Sequence, residues 1–253
     1  MWALLAAAAS YCSDLGRIHL EIRPLHVLPP SQLGFQPTAA YYIHQLELSE
    51  SADNVFARFS KGSVQRKITK AEHEDLTCEE GNSQKLIEAF YGLLLLTRRR
   101  HRIPPQPIEW FQSLARLLGD AFKVRVAFKS GRPVASIITL QSTQSMVYKY
   151  GCSDEAYWNL GGLQLLLWKA IQQAVSHGCK HFDFGRSDVD HIGLVEFKDR
   201  WGAKRTLLSY WTTPSTNETR RDAMDSLLAR RAFSLVPDRI LVVLGRMLYR
   251  YIG

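Results

Sequence analysis

The sequence predicts an α/β (α+β) fold in which helices flank a mixed sheet, and the stretch from Met146 to Thr213 carries most of this prediction. Strand-like and helix-like segments alternate there, and their order is typical of a sheet covered by helices. They are strand 146–150, helix 158–177, strand 181–184, a short helix ending near Trp201 and strand 206–213. With 46% hydrophobic residues, the 253-residue chain can form the core of one large domain or two small ones.

The long helix is predicted by apolar residues that recur at three- and four-residue steps and therefore share one face. These residues are Leu163, Leu166, Leu167, Ala170, Ile171, Ala174 and Val175. Gly178 then provides a left-handed helix end. Residues 181–184 alternate polar and apolar side chains as a half-buried strand does, and residues 185–188 predict a turn. Gly202 ends the short helix, and β-branched and aromatic residues predict the final strand.

The residues before this stretch predict a further strand, two helices and two more strands. In chain order these are strand 75–80, a helix that follows Ser83, a helix over 110–118, and strands 123–129 and 133–141 around a turn at 130–132. Ser83 predicts a helix cap because its hydroxyl can accept a bond from a free helical N–H group. The prolines within 104–107 predict the break between the two helices.

Two motifs in the central stretch give the chain a family resemblance. Residues 182–186 read FDFGR, residues 197–202 read FKDRWG, and a strand containing Tyr210 follows. This order and spacing resemble the Fem family of aminoacyl-transferases and related GNAT-like N-acyltransferases of cell-envelope or polysaccharide biosynthesis. The resemblance covers most of residues 40–213. It implies a GNAT-like fold and transfer of an acyl or aminoacyl group to an amine.

The resemblance also implies a division of the chain into four parts. Residues 1–50 are predicted to be part of a first GNAT-like lobe, with strands at 17–25 and 40–48, because Fem-type chains carry two such lobes. We expect that the opening of this first lobe is missing. Residues 51–74 predict a connecting basic helix, residues 75–214 a complete acyltransferase lobe, and residues 215–253 a basic amphipathic helical tail. The basic face of the connecting helix is either a solvated face or a wall beside an anionic substrate.

Charge and cysteine content limit the partners and the compartment. The formal charge of +8 favours an anionic partner such as tRNA, a nucleotide-linked substrate, the phosphates of CoA or a membrane surface. The four cysteines form no C-x-x-C pair, so neither a zinc site nor a disulfide framework is indicated. A reducing, cytoplasmic location is favoured, with possible peripheral contact at the inner face of the membrane. Residues 1–14 are apolar but lack the positive start of a signal peptide, which favours a packed helix.

The chemistry implied by the resemblance places three candidate catalytic residues. No G-x-S-x-G elbow or marked catalytic thiol is present, so direct attack of an amine on the acyl carbonyl is the simplest mechanism. Lys198 would stabilise the developing negative charge and Phe197 would pack against the donor, unless Lys198 is an ordinary surface lysine. Asp183 would orient the acceptor amine or receive its proton, unless it is a structural carboxylate that holds Arg186 or an amide.

Candidate substrate-binding residues surround this centre. Gly161 and Gly162 would let a donor approach the start of the long helix, with a bulky side chain there blocking binding but not folding. Arg99, within the basic run 98–102, either grips donor phosphates or offsets the negative end of its helix. Tyr150 and Tyr210 could border the groove or belong to the core. Arg186 completes this substrate-binding set. The acidic residues and histidine within 188–191 have no known metal spacing, and we expect them to cap a helix instead of binding a metal.

The donor and the overall role stay open at this stage. The start of the long helix lacks the Arg or Gln and the glycine spacing typical of CoA enzymes, which favours aminoacyl-tRNA without excluding acyl-CoA. Either would be a co-substrate, with no permanently bound cofactor. The alternatives are a catalytically inactive GNAT-fold binding protein and a membrane-associated scaffold. The scaffold is suggested by the tail, whose apolar and arginine faces from Pro237 onward would suit either an anionic membrane or docking on the protein.

Overall fold

A computed structural model describes residues 2–14, 20–24, 31–48, 51–213 and 238–249. The strands are β1 (Glu21–Ile22), β2 (Gln36–Glu47), β3 (Leu76–Gly81), β4 (Phe122–Lys129), β5 (Arg132–Gln141), β6 (Ser145–Ser153), β7 (His181–Asp188) and β8 (Lys204–Thr212). The helices are α1 (Trp2–Asp14), α2 (Ala52–Ala57), α3 (Arg66–Glu72), α4 (Gln84–His101), α5 (Ile108–Leu118), α6 (Gly162–Ser176), α7 (Ile192–Asp199) and α8 (Asp238–Tyr249). Three 3₁₀ turns (Ser31–Leu33, Gly119–Ala121 and Glu155–Leu160) and a π turn (Lys61–Gln65) complete the described elements.

The strands form one mixed eight-stranded sheet in the order β1-β8-β2-β7-β6-β5-β4-β3. All neighbouring strands are antiparallel except β6 and β7, which run parallel. One face packs on the apolar stripe of α6, through residues such as Phe182 and Trp168. The other face packs on α4 and α5 around Phe90 and Phe111. Each side of the sheet therefore buries its own hydrophobic cluster, as the predicted fold class requires.

The strand predicted at 40–48 lies in the middle of this sheet. It is β2, which begins earlier than predicted, at Gln36, and pairs with both β7 and β8. The boundary predicted near residue 50 therefore does not separate two sheets in the described part of the chain. Of the strand predicted at 17–25, only Glu21–Ile22 is described as β-structure, and residues 15–19 and 25–30 lie outside the described residues.

Three predicted elements differ in extent from the structure. The helix predicted over 158–177 begins at Gly162, and a 3₁₀ turn over Glu155–Leu160 precedes it. The helix predicted over 51–74 is divided into α2, the π turn and α3, and the Gln65 amide donates to the carbonyls of Phe56 and Phe59 near the end of α2. The turn predicted at 185–188 is wrong, since β7 runs through it as a bulged strand paired with β2.

The tail helix α8 docks on the protein. Leu241 is buried, Val242 packs on the α4/α5 cluster, and Arg246 forms a salt bridge with Glu109 of α5. A Cβ atom added at Gly245 would lie 2.1 Å from the carbonyl oxygen of Pro105, so the helix backbone contacts this loop directly. Docking, one of the two predicted states of the tail, is therefore present in residues 238–249. The predicted tail residues 215–237 lie outside the described part.

Replacing Gly245 with alanine is expected to weaken the docking of α8. The added methyl would overlap the Pro105 carbonyl, so the helix must move away from the loop. We expect amide hydrogens of residues 241–249 to lose exchange protection by about tenfold or more, equivalent to about 1.4 kcal/mol. Gly92→Ala is the matched control, because Gly92 is an exposed glycine within α4 whose added Cβ meets nothing within 4 Å. That change should stabilise its helix by about 0.5–1 kcal/mol. Equal protection in the parent and Gly245→Ala would contradict the close contact.

Candidate active site

The sheet opens between its two parallel strands. Pairing between β6 and β7 is confined to Ser145–Val147 and His181–Asp183, although β6 continues to Ser153 and β7 to Asp188. Each of these two strands also has a register shift in the pairing with its other neighbour. For β6 that neighbour is β5, and for β7 it is β2. Bulges increase local twist, and the ladder pairing between β6 and β7 stops beyond Val147 and Asp183. We call this interruption of the ladder the gap between β6 and β7.

A cleft of about 320 Å³ lies at the end of β6 and the start of α6. It is lined by residues that include Lys67, Arg100, His101, Trp158, Gly162 and Phe197. The first three residues of α6 belong to its wall, and the first N–H groups of a helix have no partner within the helix. The cleft therefore combines a helix N-terminus, which favours negative charge, with lysine and arginine side chains.

Aromatic and basic side chains hold each other in place at the cleft. The Arg100 guanidinium lies 4.7 Å from the ring centroid of Trp158 and pairs with Glu155 at 3.3 Å. The Trp158 indole N–H donates to Ser153 Oγ at 2.7 Å. Burial, followed by the charges of Arg100 and Arg98, lowers the pKa of His101, which favours its neutral form. The positive charge of the cleft at neutral pH thus comes from Lys67 and Arg100.

The paired glycines at the start of α6 have a packing role. Gly161 has φ +72°, and a Cβ atom there would lie 2.6 Å from the Lys67 carbonyl oxygen of α3. Gly162 packs against β5, where its Cβ would lie 3.2 Å from that of Ala135. Gly162 also lines the cleft. The expectation that a bulky side chain at these positions would leave the fold intact is therefore wrong, because both sites are closely packed against neighbouring elements.

Lys198 and Asp183 fix the bulge of β7 where the sheet opens. Lys198 Nζ donates to the carbonyl oxygens of Gly185 at 2.9 Å and Arg186 at 3.0 Å. Asp183 Oδ1 accepts from the Gly185 N–H at 2.6 Å, and Gly185 has the positive φ, +70°, that the bulge requires. Lys198 is only 2% exposed. The interpretation of Lys198 as an ordinary surface lysine is therefore wrong.

This geometry agrees with a match to a known domain family. The family model described as acetyltransferase (GNAT) domain matches residues 58–199, more than half of the chain. The chain belongs to the GNAT acetyltransferase family. No curated protein sequence matches the chain.

Several solved structures share the fold at low sequence identity. FemX has a TM-score of 0.68 and 13% identity, with 89% of this chain and 78% of FemX covered. The C-terminal domain of a putative lysylphosphatidylglycerol synthetase from Agrobacterium fabrum has a TM-score of 0.58 and 16% identity, covering 91% and 77%. A tandem GNAT protein from the clavulanic acid biosynthesis pathway has a TM-score of 0.53 and 13% identity, covering 86% and 70%. The predicted GNAT-like fold and the resemblance to Fem and GNAT proteins are confirmed.

The predicted site residues of this GNAT protein fall into separate groups. Phe197 and Gly162 line the cleft, whereas Lys198 and Asp183 meet at the bulge. Arg186 and Tyr210 form a third group, in which the guanidinium donates to the phenol. The predicted roles of all these residues in catalysis and binding stay predictions.

Two other predicted residues lie apart from these groups. Tyr150 packs in the α4/α5 cluster, and its hydroxyl accepts from the Trp110 indole at 3.3 Å. Of the basic run 98–102, Arg100 and His101 line the cleft, while Arg99 is not among the lining residues. At the start of α7, the His191 ring accepts from the Leu194 N–H at 3.2 Å, so the expected capping role of this acidic loop is confirmed for His191.

Several residues of the site were not singled out from the sequence. Trp158 falls at the start of the predicted long helix, and Lys67 falls within the predicted basic helix 51–74. His44 of β2 is fully buried, with its Nε2 3.4 Å from Asp199, and burial lowers its pKa, with a further contribution from the charge of Lys198. A histidine inside a strand pattern carries no local sign that it will lie beside a lysine of a distant helix. Burial also raises the pKa of the Cys152 thiol, which agrees with the absence of a thiol nucleophile there.

The buried position of Lys198 predicts a pH-dependent stability. Burial lowers its pKa from 10.5 to about 8, and the nearby Asp183 charge opposes this shift. Between pH 8 and 10.5 the unfolded chain therefore binds more protons at this group, so the free energy of unfolding rises with pH by about 3 kcal/mol. The measurement is urea denaturation of the parent and Lys198→Met across this range. The difference between the free energies of unfolding of the two proteins, followed against pH, isolates the contribution of Lys198. A difference that does not change with pH would contradict its lowered pKa.

Proposed function

We propose that this GNAT protein is an N-acyltransferase that transfers an acyl or aminoacyl group to an amine of a cell-envelope or polysaccharide precursor. The observation that carries the proposal is the gap between β6 and β7, which lies next to the cleft at the start of α6. Beyond the gap the backbone groups of β6 and β7 do not pair with each other, and the cleft provides a positive site for the anionic part of a donor. The resemblance to Fem proteins supports an amine acceptor from the cell envelope.

The cleft suits a donor that carries an adenosine and phosphates. Trp158 offers an aromatic face at its rim, and Lys67, Arg100 and the free N–H groups of α6 suit phosphate oxygens. Acyl-CoA and aminoacyl-tRNA share this chemistry, since each carries an adenosine bearing phosphates. The chemical character of the cleft thus supports either donor, and the two are distinguished by the experiment below.

The proposed reaction is a direct displacement at the acyl carbonyl. The amine nitrogen forms the new bond to the carbonyl carbon, the bond to the donor's sulfur or oxygen breaks, and the proton lost by the amine neutralises the departing thiolate or alkoxide. In this proposal the fixed charge of Lys198 acts from behind the bulge on the negative charge that develops at the carbonyl oxygen. Asp183 orients the acceptor amine or takes its proton through the carboxylate that also accepts from Gly185.

A thermal-shift screen of acyl-CoAs and charged tRNAs tests this function. A donor that binds the folded state raises the melting temperature, and one of the two classes is expected to do so. Arg100→Gln should weaken this shift because Arg100 lines the cleft, whereas Arg116→Gln, an exposed position on α5, should leave it unchanged. Transfer to an added amine then distinguishes an enzyme from the inactive binding protein. Absence of binding by both donor classes would refute the proposed activity.

Membrane contact through the tail is a second candidate role. The docked helix α8 leaves Val243 and Met247 exposed, at 46% and 61%, beside Arg246. Apolar and basic side chains on one exposed surface suit an anionic membrane. In the part of the chain that the structure describes, no helix combines the length and hydrophobicity needed to cross a bilayer. Cosedimentation with vesicles containing phosphatidylglycerol tests this role, since Val243→Ser with Met247→Ser should reduce pelleting. Equal pelleting of parent and variant would argue against a membrane-associated scaffold.

A further inference from the structure

Three neighbouring strands bring an arginine onto two tyrosine rings. The Arg186 guanidinium of β7 lies 4.6 Å from the ring centroid of Tyr41 in β2 and 5.3 Å from that of Tyr210 in β8. The two rings are themselves in contact, with centroids 4.6 Å apart. Arg186 also donates a hydrogen bond to the Tyr210 hydroxyl. We call Tyr41, Tyr210 and Arg186 the tyrosine platform.

The charge on the tyrosine platform is not neutralised by a carboxylate. Among the described residues, no acidic side chain forms a salt bridge with Arg186, and the residue is exposed. Arg23 provides the contrast, since it lies 4.6 Å from the Tyr210 ring centroid but pairs with Glu21 at 2.6 Å. A guanidinium stacked on aromatic rings still presents N–H donors at its edge, and these match the oxygens of a carboxylate or phosphate.

The backbone of Arg186 adjoins the bulge of β7, where the register with β2 shifts. The Arg186 carbonyl oxygen accepts a hydrogen bond from Lys198, and Arg186 pairs with Ile43 of β2. Asp183 pairs with Gln45 of β2, which lies two residues after Ile43 and therefore on the same face of the sheet. Asp183 and Arg186, the partners of these two residues, thus point to one face. Two residues of a strand span about 7 Å. The tyrosine platform therefore lies a short distance from the point where the sheet opens.

We propose that the tyrosine platform binds an anionic group of the acceptor, a carboxylate or phosphate that lies several bonds from the reacting amine. This inference rests on the proposed function, since it places the acceptor amine near Asp183. Arg186 then favours acceptors that carry the anionic group, because an amine without it gains no charge-assisted hydrogen bond. The tyrosine rings keep that guanidinium fixed before the acceptor binds, which reduces the entropy lost on binding.

Calorimetric titration with two simple anions tests the platform without knowledge of the acceptor. Inorganic pyrophosphate represents a phosphate source and glutarate a carboxylate source, and the parent is expected to bind one of them saturably at low ionic strength. Arg186→Gln should weaken this binding about tenfold or more, because a charge-assisted pair is lost. Arg186→Lys should restore it only in part, since an ammonium lacks the planar fork. Arg200→Gln is the control, because that exposed arginine is already paired with Glu196 at 2.8 Å.

The outcomes separate this inference from the proposed function. Binding of pyrophosphate alone that Arg186→Gln weakens indicates a phosphate-bearing acceptor, and binding of glutarate alone that Arg186→Gln weakens indicates a carboxylate-bearing one. Saturable binding of neither anion, or equal binding by the parent and Arg186→Gln, overturns the inference. Donor binding is measured on the same proteins with acetyl-CoA and with charged tRNA. If the protein binds a donor but neither anion, the role of the tyrosine platform is contradicted and the proposed function is not. If it binds neither acetyl-CoA nor charged tRNA, the proposed function is contradicted.

Discussion

Lys198→Met is expected to lower turnover at saturating substrate about a hundredfold while leaving donor binding intact. Removing one fixed group that stabilises a developing oxyanion typically costs about 3 kcal/mol of transition-state stabilisation. Lys198 does not line the cleft, and its ammonium is instead fixed by the carbonyl oxygens of Gly185 and Arg186. The measurement is the transfer rate at saturating donor and acceptor, with donor affinity determined separately by titration.

Two opposing changes keep the expected loss of stability in Lys198→Met small at pH 7. The carbonyls of Gly185 and Arg186 lose their donor, which costs about 1–3 kcal/mol for each buried group. Methionine also removes a buried ammonium whose lowered pKa corresponds to about 3 kcal/mol. The free energy of unfolding should therefore change by no more than about 3 kcal/mol in either direction, and the variant should remain folded.

The pH profile of the parent decides how Lys198 acts. If its charge is required, the rate falls as pH rises through about 8, where Lys198 loses its proton. If its only role is to position the bulge, the neutral amine still donates two hydrogen bonds and the rate changes little. A Lys198→Met protein that turns over within a few-fold of the parent would show that this lysine makes no electrostatic contribution to transfer.

Gly161→Ala is expected to reduce the free energy of unfolding by about 3 kcal/mol. A Cβ atom in a left-handed conformation costs about 1 kcal/mol, and this one would also overlap the Lys67 carbonyl oxygen. Backbone of α3 must move, since no flexible side chain can give way. Gly178→Ala is the matched control, because Gly178 has nearly the same φ, +71°, but its added Cβ meets nothing within 4 Å. The control should therefore lose only about 1 kcal/mol.

Urea denaturation of these two variants separates the packing role of Gly161 from a binding role. Equal losses of stability would mean that backbone conformation alone accounts for the effect and that α3 moves freely. A normal stability with donor binding lost would restore the earlier interpretation of Gly161 as a point of donor approach. Donor titration of each variant that remains folded distinguishes these cases.

The order of the elements and the family were determined by the sequence alone, because both depend on local patterns. The apolar spacing from Leu163 onward predicted the helix that became α6, and Ser83 caps α4 as expected, with its hydroxyl accepting from the Leu86 N–H. The FDFGR and FKDRWG motifs identified the fold because they lie at a fixed spacing in one stretch. These signals need no knowledge of distant parts of the chain.

Only the tertiary structure decided where the site residues lie, because their contacts join segments far apart in sequence. The position of β2 between β7 and β8 brings Tyr41 to Arg186 and Tyr210, and no local pattern specifies that neighbour. The sequence predicts Asp183 in a strand and Gly185 in a turn, but both belong to one bulged strand that pairs with β2. The sequence left open whether Lys198 is a catalytic residue or a surface lysine, and the structure excludes the surface position because the carbonyls of that bulge accept from its buried ammonium.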